Sequence, residues 1–444
     1  MRAEQGKVFR EVRGCRLCGN QDLVSILDLG APALTGNFPQ RGAPDAPRAP
    51  LELVKCRDRS CGTGCGLVQL RHSVDPSLLY GDGYGYRSGL NRAMVDHLAQ
   101  LAALVADRSA LGPGDTVLDI GSNDGTLLRA LGRPGVRLIG MDPTAGRFAR
   151  FYPPDTTAIP EFFSADRFLR ESGGRRAKVV TSVAMLYDLE QPLAFVEQVC
   201  DVLDDEGVWL LEQSYLPSML ARTAYDTVCH EHLEYYALKQ VSWLMARAGL
   251  RIADAWLTDT NGGSCAMVVR KRRGGEDALS AAAATIMAEE SRLGLAGTAP
   301  YDRFQDRVLE HRSRLCELLR AFGAAGLRTF GYGASTKGNV LLQFCAITPA
   351  QLPCIADVNP DKYGCVTPGT GIPIVSEDKA RAEHPDVFLV LPWHFRDAIL
   401  AREGRFLADG GSLVFPLPTP EILPGPNGLR RRAAHAPAAA VLAG

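Results

Sequence analysis

The segment from Tyr225 to Tyr236, YDTVCHEHLEYY, concentrates groups that can exchange protons or bind polar ligands. It holds two histidines, two glutamates, one cysteine and three tyrosines, in a chain with only eight histidines. Buried charge and unpaired imidazole cost free energy, so such a cluster usually serves a purpose beyond packing. The segment predicts proton transfer, a metal site or a polar binding site, with a solvated surface run as the structural alternative.

The HEH triplet, His230, Glu231 and His232, supplies the candidate catalytic groups. A metal site is one alternative, because His230, His232 and Glu234 would share one face if the segment were a strand. The spacing does not match H-E-x-x-H, the common helical zinc motif, which disfavours that alternative. We expect proton transfer instead.

The first glycine loop lies in VLDIGSNDGTLL, between an apolar strand and a helix. Glycine permits close backbone approach, and the acidic and amide groups can accept hydrogen bonds from ribose hydroxyls or face an ammonium. The loop resembles motif I of class I S-adenosylmethionine-dependent methyltransferases, with asparagine at the middle glycine. A carboxylate at the end of the next strand, LIGMD, stands where that fold holds the ribose. The candidate cofactor-binding residues are Asp119, Gly121, Asn123, Asp124, Gly125 and Asp142.

The second glycine loop lies in RTFGYGASTKGNVLLQFC. Backbone N–H groups, hydroxyls and an ammonium at a helix start predict an anion site for a phosphate or diphosphate. It is not a P-loop, because GYGASTKGN lacks the required spacing. Two later strands end in ADVNPDKYG and PWHF, at the edge where open α/β sheets bind ligands. The candidate substrate-binding residues are Ser335, Thr336, Lys337, Asn339, Asp357, Lys362 and Trp393.

Five cysteines lie within the first 65 residues. Cys15 and Cys18 are two residues apart, and Cys56, Cys61 and Cys65 follow about forty residues later, which is a spacing typical of structural zinc. We expect Cys15, Cys18, Cys56 and Cys65 to be the ligands. Cys61 is the spare cysteine, although the spacing alone also allows Cys61 in place of Cys56. A closed four-sulfur site serves folding rather than catalysis.

The elements that must position these groups form three segments. The cysteine spacing within residues 1–75 predicts a small zinc-binding domain. Residues 76–295 alternate strand, glycine turn and helix, as in a parallel sheet covered by helices, and residues 296–424 repeat this pattern after a helical stripe over 301–322. The fold class is therefore α/β, with a zinc-binding module, a central Rossmann-like domain and a second Rossmann-like domain. The Ala- and Pro-rich residues 425–444 are expected to be disordered.

Composition limits the possible partners. The formal net charge is −1, and 46% of residues are hydrophobic and 22% charged. A binder of nucleic acid or an anionic membrane surface would carry excess Lys and Arg, so neither partner is expected. No apolar run is long enough for a membrane span, and the first residues lack a signal-peptide pattern, so we expect a cytoplasmic protein with reduced thiols.

Taken together, CRLCG, CGLVQL, YGYRSGLN, DIGSNDGTLL, CHEHLEYY, GYGASTKGN, NPDKYG, PGTGIPI and PWHF occur in an order that resembles the three-domain sugar C-methyltransferases of deoxysugar biosynthesis. The resemblance covers nearly the whole chain. It implies S-adenosylmethionine and structural Zn²⁺ as cofactors, and a TDP-linked 4-keto-deoxyhexose methylated at C-3 as substrate. It implies that His232 removes the proton beside the ketone, with Glu231 shaping the transfer and Tyr84 or Tyr86 meeting the enolate oxygen.

Two positions depart from the pattern of family members that act on amino-ketohexoses. Cys229 stands where those members commonly carry a tyrosine, and no histidine lies near Met185, Leu186 and Tyr187. An O- or N-methyltransferase of a nucleotide-linked sugar is the main alternative, in which His232 deprotonates a hydroxyl or amine. A non-catalytic module that binds a nucleotide sugar is a further alternative, which the intact GSNDG loop and HEH triplet disfavour.

Overall fold

The computed structural model describes residues 8–57, 64–80, 86–275 and 279–425. Cys61, Tyr84 and the tail beyond residue 425 lie outside these ranges, so the structure does not bear on the predictions made for them. Within them, no helix is both long and apolar enough to cross a membrane.

The first region is built on small antiparallel sheets. Strand β2 pairs with β3, and β3 with β4, while β1 pairs with β5. Apolar side chains of β3 and β4 are buried throughout, because both faces of this sheet are covered. The elements are β1 Phe9–Glu11, β2 Leu23–Asp28, β3 Glu52–Cys56, β4 Val68–Leu70, β5 His72–Val74 and α1 Pro76–Leu79.

The central region holds a seven-stranded sheet in the order β12-β13-β10-β9-β6-β7-β8. Its elements, with β11 belonging to another sheet, are α2 Arg92–Ser109, β6 Thr116–Ile120, α3 Thr126–Leu131, β7 Arg137–Met141, α4 Ala145–Phe148, β8 Thr157–Ile159, α5 Ala165–Ser172, β9 Ala177–Val183, α6 Pro192–Val202, β10 Leu203–Ser214, α7 Leu216–Ala221, β11 Glu234–Tyr235, α8 Leu238–Arg247, β12 Leu250–Thr258, β13 Ser264–Lys271 and α9 Ala281–Arg292.

The strands within TVLDIG, RLIGMD, KVVTSV and GVWLLEQS are parallel neighbours in this sheet, as the alternation of strand and helix predicts. The sheet is mixed rather than wholly parallel, because β13 runs antiparallel to both β10 and β12. A short turn through Asn261, Gly262 and Gly263, all at positive φ, joins β12 to β13. So short a connection allows only an antiparallel hairpin.

Strand β11 belongs to the first region's sheet, although it follows the central elements in sequence. Glu234 pairs with Gln69 and Tyr235 with Val68 on β4. The HEH triplet immediately precedes this strand. The first region therefore holds the triplet in place at the border of the central region.

The C-terminal region begins with the long helix α10 and ends in a six-stranded sheet of order β16-β15-β14-β17-β18-β19, parallel except for β19. The expected stripe on α10 is buried except at Leu318, which is half-buried, and the adjacent Leu319 is buried instead; the expected members are Phe304, Val308, Leu315, Leu318 and Phe322. The elements are α10 Ala299–Ala324, β14 Thr329–Tyr332, α11 Thr336–Phe344, β15 Ile355–Asp357, β16 Ile374–Ser376, α12 Glu377–Ala382, β17 Val387–Val390, α13 Arg396–Arg402, α14 Gly404–Ala408, β18 Ser412–Phe415 and β19 Glu421–Pro424.

Candidate functional site

A cavity of about 700 Å³ lies where the carboxyl ends of the two large sheets face each other. In each sheet the strand order reverses beside the first strand, between β6 and β9 and between β14 and β17, which is where open α/β sheets bind ligands. Most predicted site residues line this one cavity. They are Tyr86, Asp119, Gly121, Asn123, Asp142, Glu231, His232, Ser335, Thr336, Lys337, Asp357 and Lys362.

Asp142 organises the first glycine loop (residues 120–126). One carboxylate oxygen accepts from the Asn123 N–H at 2.9 Å, and the other accepts from the Thr144 N–H at 2.6 Å. Asn123 sits at φ +46°, a conformation that asparagine tolerates better than most residues. The loop is therefore fixed against the end of β7 before any ligand binds.

Asp119 gives the cofactor side of the cavity an acidic character. It is buried at the end of β6 and accepts from the Thr181 hydroxyl at 2.6 Å. Burial raises its pKa to about 7, Thr181 opposes that shift, and the nearby Asp142 adds to it. A cationic ligand would favour the ionised carboxylate.

Asp124 and Gly125, two predicted cofactor-binding residues, do not line the cavity. Asp124 accepts from the Gly89 N–H at 2.9 Å and from the Thr126 hydroxyl at 2.6 Å, and so ties two chain segments together. A Cβ at Gly125 would lie 3.0 Å from the Tyr152 ring, so this glycine serves packing. Both residues therefore support the conformation of the loop without lining the cavity.

Tyr86 lies at the cavity with 46% of its surface exposed. Its carbonyl accepts from the Asn123 side-chain amide at 3.3 Å, which holds this segment beside the first glycine loop. Burial of its hydroxyl raises its pKa, and the Ser88 hydroxyl opposes that shift. Among the described residues, no hydrogen bond or ring contact joins Tyr86 to the HEH triplet. Tyr84, the other candidate, lies outside the described residues.

His232 has the protonation state and orientation of a general base. Its Nδ1–H donates to the Thr227 carbonyl at 2.8 Å, so in the neutral ring the lone pair is on Nε2. Nε2 has no hydrogen-bond partner among the described residues, and the ring packs edge-to-face on Tyr187, 4.4 Å between centroids. Burial and the Lys337 charge lower its pKa to about 3, so the ring is neutral at ordinary pH.

Glu231 points toward the same cavity and is 6% exposed. Neither carboxyl oxygen has a well-formed hydrogen bond among the described residues, although the Cys229 thiol and Thr35 hydroxyl lie close enough to favour its charge. Burial raises its pKa. Asp188, which the sequence interpretation did not single out, also lines the cavity, and burial and Glu231 raise its pKa well above the ordinary value.

His230, a predicted catalytic candidate, does not line the cavity. Its Nε2–H donates to the Ala49 carbonyl at 2.9 Å, and burial lowers its pKa to about 4. The residues 230–233 are not strand, and Glu234 lies near the Arg16 guanidinium at 3.6 Å. Among the described residues the only group spaced for a metal is the N-terminal cysteine cluster, so the structure does not favour metal ligation by the triplet.

The second glycine loop (residues 332–338) repeats the carboxylate arrangement of the first. Asp357 accepts from the Ala334 N–H and from the Asn359 N–H, each at 2.7 Å. The Lys362 ammonium lies 4.0 Å from Asp357, donates to the Ala334 carbonyl at 2.6 Å and stands over the Phe38 ring. The Ser335 hydroxyl caps α11 by accepting from the Gly338 N–H.

Two predicted substrate-binding residues lie outside the cavity. The buried Asn339 amide donates to the Thr35 carbonyl at 2.7 Å and joins the first and C-terminal regions. The Trp393 indole N–H donates to Asp226 at 2.8 Å. His394 and Phe395, the next residues of the PWHF sequence, line the cavity instead.

The four expected zinc ligands, Cys15, Cys18, Cys56 and Cys65, lie together with all Sγ atoms within 4.8 Å of one another. The Cys15–Cys65 and Cys18–Cys56 sulfur pairs are 3.5 and 3.6 Å apart. Four sulfurs at about 2.3 Å from a tetrahedral zinc ion would be separated by nearly this distance. The cluster therefore fits structural zinc and leaves no position for substrate.

Comparison with known proteins agrees with this three-part organisation. Residues 15–80 match a zinc binding domain, residues 86–255 a methyltransferase domain, and residues 259–418 a C-methyltransferase C-terminal domain. The chain is 30% identical over 425 residues to C-methyltransferase NovU of Streptomyces niveus, covering 94% of this chain and 98% of NovU. The expected fold class and the expected cofactors, S-adenosylmethionine and structural zinc, are confirmed.

Two solved methyltransferase structures are similar to part of this chain. The methyltransferase complexed with the Trm112 activator of Haloferax volcanii is 18% identical, with a TM-score of 0.34 over 42% of this chain and 95% of that one. The plantazolicin methyltransferase BpumL with SAH is 14% identical, with a TM-score of 0.33 over 40% of this chain and 85% of BpumL. Neither match bears on the reaction of this chain.

Proposed function

Because this chain belongs to the three-domain C-methyltransferase family and is an S-adenosylmethionine-dependent methyltransferase, we propose that it methylates C-3 of a TDP-linked 4-keto-deoxyhexose through an enolate. Carbon offers no lone pair for methyl transfer. A base must therefore remove the proton beside the ketone and leave the electron pair on the enolate. The proposal needs such a base at a cavity that also admits an anionic nucleotide.

The geometry of His232 carries the proposal. Its Nδ1–H is fixed on the Thr227 carbonyl, so Nε2 is the basic atom, and it has no protein partner among the described residues. Nε2 takes the proton from C-3, and the electron pair moves into the bond between C-3 and the carbonyl carbon. After methyl transfer the imidazolium returns its proton to solvent.

The first glycine loop supports cofactor binding. Asp142 stands at the end of β7, and Asp119 lies at the end of β6, so both carboxylates face the cavity beside the loop. When bound there, S-adenosylmethionine supplies an electrophilic methyl group to the enolate carbon. The acidic residues attract the positively charged sulfonium. They would repel the phosphate groups of a dinucleotide cofactor.

The second glycine loop supports binding of the nucleotide-linked part of the substrate. Backbone N–H groups at the start of α11, the Ser335 and Thr336 hydroxyls and the Lys362 ammonium offer donors to an anion at one end of the cavity. We assign residues 1–75 to the zinc-binding domain, 76–295 to the cofactor domain and 296–424 to the nucleotide-sugar domain. Phe38 of the first domain closes the same cavity.

The test is to incubate the zinc-loaded protein with S-adenosylmethionine and a TDP-4-keto-2,6-dideoxyhexose in D2O, and to locate any new methyl group by NMR and mass spectrometry. A C–CH3 group at C-3 is the expected product. His232→Asn should lower the rate by about 10²–10⁴, the usual contribution of a general base.

His384→Asn is the matched control, because His384 is exposed and sits at φ +49°, where asparagine is tolerated. It should retain wild-type activity. A methyl group on oxygen or nitrogen, or transfer to the 4-hydroxy analogue of the sugar, would contradict C-methylation while leaving the cofactor assignment in place.

A further inference from the structure

Lys337 occupies a different part of the cavity from the anion-binding groups of the second glycine loop. It lies in the first turn of α11, and its ammonium donates to the Asn261 carbonyl at 2.9 Å. Asn261 belongs to the turn between β12 and β13 of the central region. The lysine therefore reaches across from the C-terminal region toward the central sheet.

The charge of a buried carboxylate attracts this ammonium. Asp226 is 1% exposed and attracts Lys337, opposing the burial that lowers the pKa of the lysine. The Trp393 indole donates to Asp226 at 2.8 Å, and the other Asp226 oxygen has no hydrogen-bond partner among the described residues. The indole edge lies 3.6 Å from the position of a Cβ on Gly262, so its orientation is fixed by packing.

The Lys337 charge acts on the groups around the reaction centre. It lowers the pKa of His232 and of His394, and the Cys229 thiol in turn influences Lys337. These three residues line the cavity together with Lys337. Lys362, the other cavity lysine of this region, is instead paired with Asp357 at 4.0 Å and stacked over Phe38.

From this placement we infer that Lys337, rather than binding the diphosphate, is the catalytic residue whose ammonium meets the enolate oxygen formed when His232 takes the C-3 proton. The inference rests on the proposed function. A neutral imidazole beside a cation is a poor acceptor for a carbon-bound proton unless the new negative charge is stabilised as it forms. The same cation keeps the His232 imidazole neutral before the reaction and lowers the free energy of the enolate as it forms.

The proton that leaves C-3 is taken up by a residue of the same cavity. The C-3–H bond breaks and the N–H bond on His232 Nε2 forms, while the carbonyl oxygen gains the negative charge and accepts a hydrogen bond from Lys337. Lys337 lines the cavity, so the ammonium protons that are not donated to the Asn261 carbonyl are available toward it. The Asn261 carbonyl acts as the positioning group for Lys337.

Hydrogen exchange at C-3 isolates this step from methyl transfer. The protein would be incubated with the TDP-4-keto-2,6-dideoxyhexose and S-adenosylhomocysteine in D2O, and deuterium at C-3 followed by NMR. Lys337→Met should slow exchange by about 10²–10³, the usual loss for one oxyanion donor, with the sugar dissociation constant little changed. Lys337→Gln, which keeps a donor without charge, should fall between wild type and methionine.

Lys379→Met is the matched control, since it removes an exposed lysine of the same region that does not line the cavity. It should leave both the sugar dissociation constant and the exchange rate close to wild type. Exchange by Lys337→Met and Lys337→Gln at the wild-type rate, or a loss confined to sugar affinity, would overturn the inference. Wild-type protein that exchanges no C-3 hydrogen would instead overturn the proposed function. Circular dichroism identifies any variant that does not fold, and Lys337→Arg, which retains the charge, should then recover measurable exchange.

Discussion

The two glycine loops are built on the same backbone arrangement but face the cavity with opposite charge. In each, a carboxylate at the end of the next strand accepts from a loop N–H and from the N–H two residues beyond itself. Asp142 does this for Asn123 and Thr144, and Asp357 does it for Ala334 and Asn359. The two sheets therefore present equivalent edges to the same cavity.

The difference lies in the side chains added to this frame. The first glycine loop has Asp119 beside Asp142, and burial keeps the Asp119 pKa near 7 until a cation binds. The second glycine loop has Lys362 beside Asp357 and Lys337 in the first turn of α11. Backbone geometry therefore sets where a ligand lies, and the side-chain charges determine whether that ligand is a cation or an anion.

The largest effect is expected from a change that touches neither loop. Strand β11, which directly follows the HEH triplet, is held by the zinc-binding region through its pairing with β4. Cys56→Ser removes one of the four zinc ligands and should loosen that sheet, because structural zinc contributes directly to folding. Turnover should fall by at least about a hundredfold, since small displacements of catalytic groups cost that much.

S-adenosylhomocysteine affinity, measured by calorimetry, should change much less, because the first glycine loop belongs to a different sheet. Cys200→Ser on α6 is the control, as Cys200 is not part of the cysteine cluster. Cys56→Ser protein with full zinc content and normal turnover would show that the triplet does not depend on the zinc site.

An intermediate effect is expected from neutralising either strand-end carboxylate. Asp142→Asn should weaken S-adenosylhomocysteine binding, and Asp357→Asn should weaken binding of the TDP-sugar, each by about 10–100-fold. Charged hydrogen bonds to N–H groups contribute about 1.5–3 kcal/mol, which corresponds to that range. Calorimetry of both ligands on both variants measures the comparison directly. Equal losses for both ligands in each variant would mean that the loops do not act as separate sites.

Sequence reasoning located these carboxylates because their positions follow from strand ends alone. TVLDIG and LIGMD, like RTFGYG and CIADV, are adjacent parallel strands, and parallel strands present their carboxyl ends at one edge. The cysteine spacing likewise identified four residues that meet in space. In both cases a local pattern determines which backbone atoms converge.

Side-chain direction was less predictable, because it depends on contacts between distant segments. Asp124 and Trp393 belong to recognisable motifs, yet tertiary hydrogen bonds to Gly89 and Asp226 turn them away from the cavity. Asp188 was missed because it sits in a short turn without a glycine motif. Its one available signal was its place just after strand β9, at the ligand-binding edge.

The smallest expected effect concerns the His232 imidazole, which should not change its protonation state near neutral pH. Burial and Lys337 lower the pKa of His232 to about 3, so its imidazole should stay neutral between about pH 5 and 8. A lowered pKa means that proton uptake, and with it loss of the base, occurs only at more acidic pH. Nitrogen NMR of labelled histidine, assigned with His232→Asn, should show a proton on Nδ1 and no change over this range.

Lys337→Met sharpens this measurement because it removes one of the two causes and leaves the other. The His232 pKa should rise but remain below that of an exposed histidine, since the ring is still buried. A wild-type His232 that titrates near neutral pH would mean that neither burial nor the charge of the second glycine loop reaches the base. The two loops would then act on their own ligands without the electrostatic link that Lys337 provides.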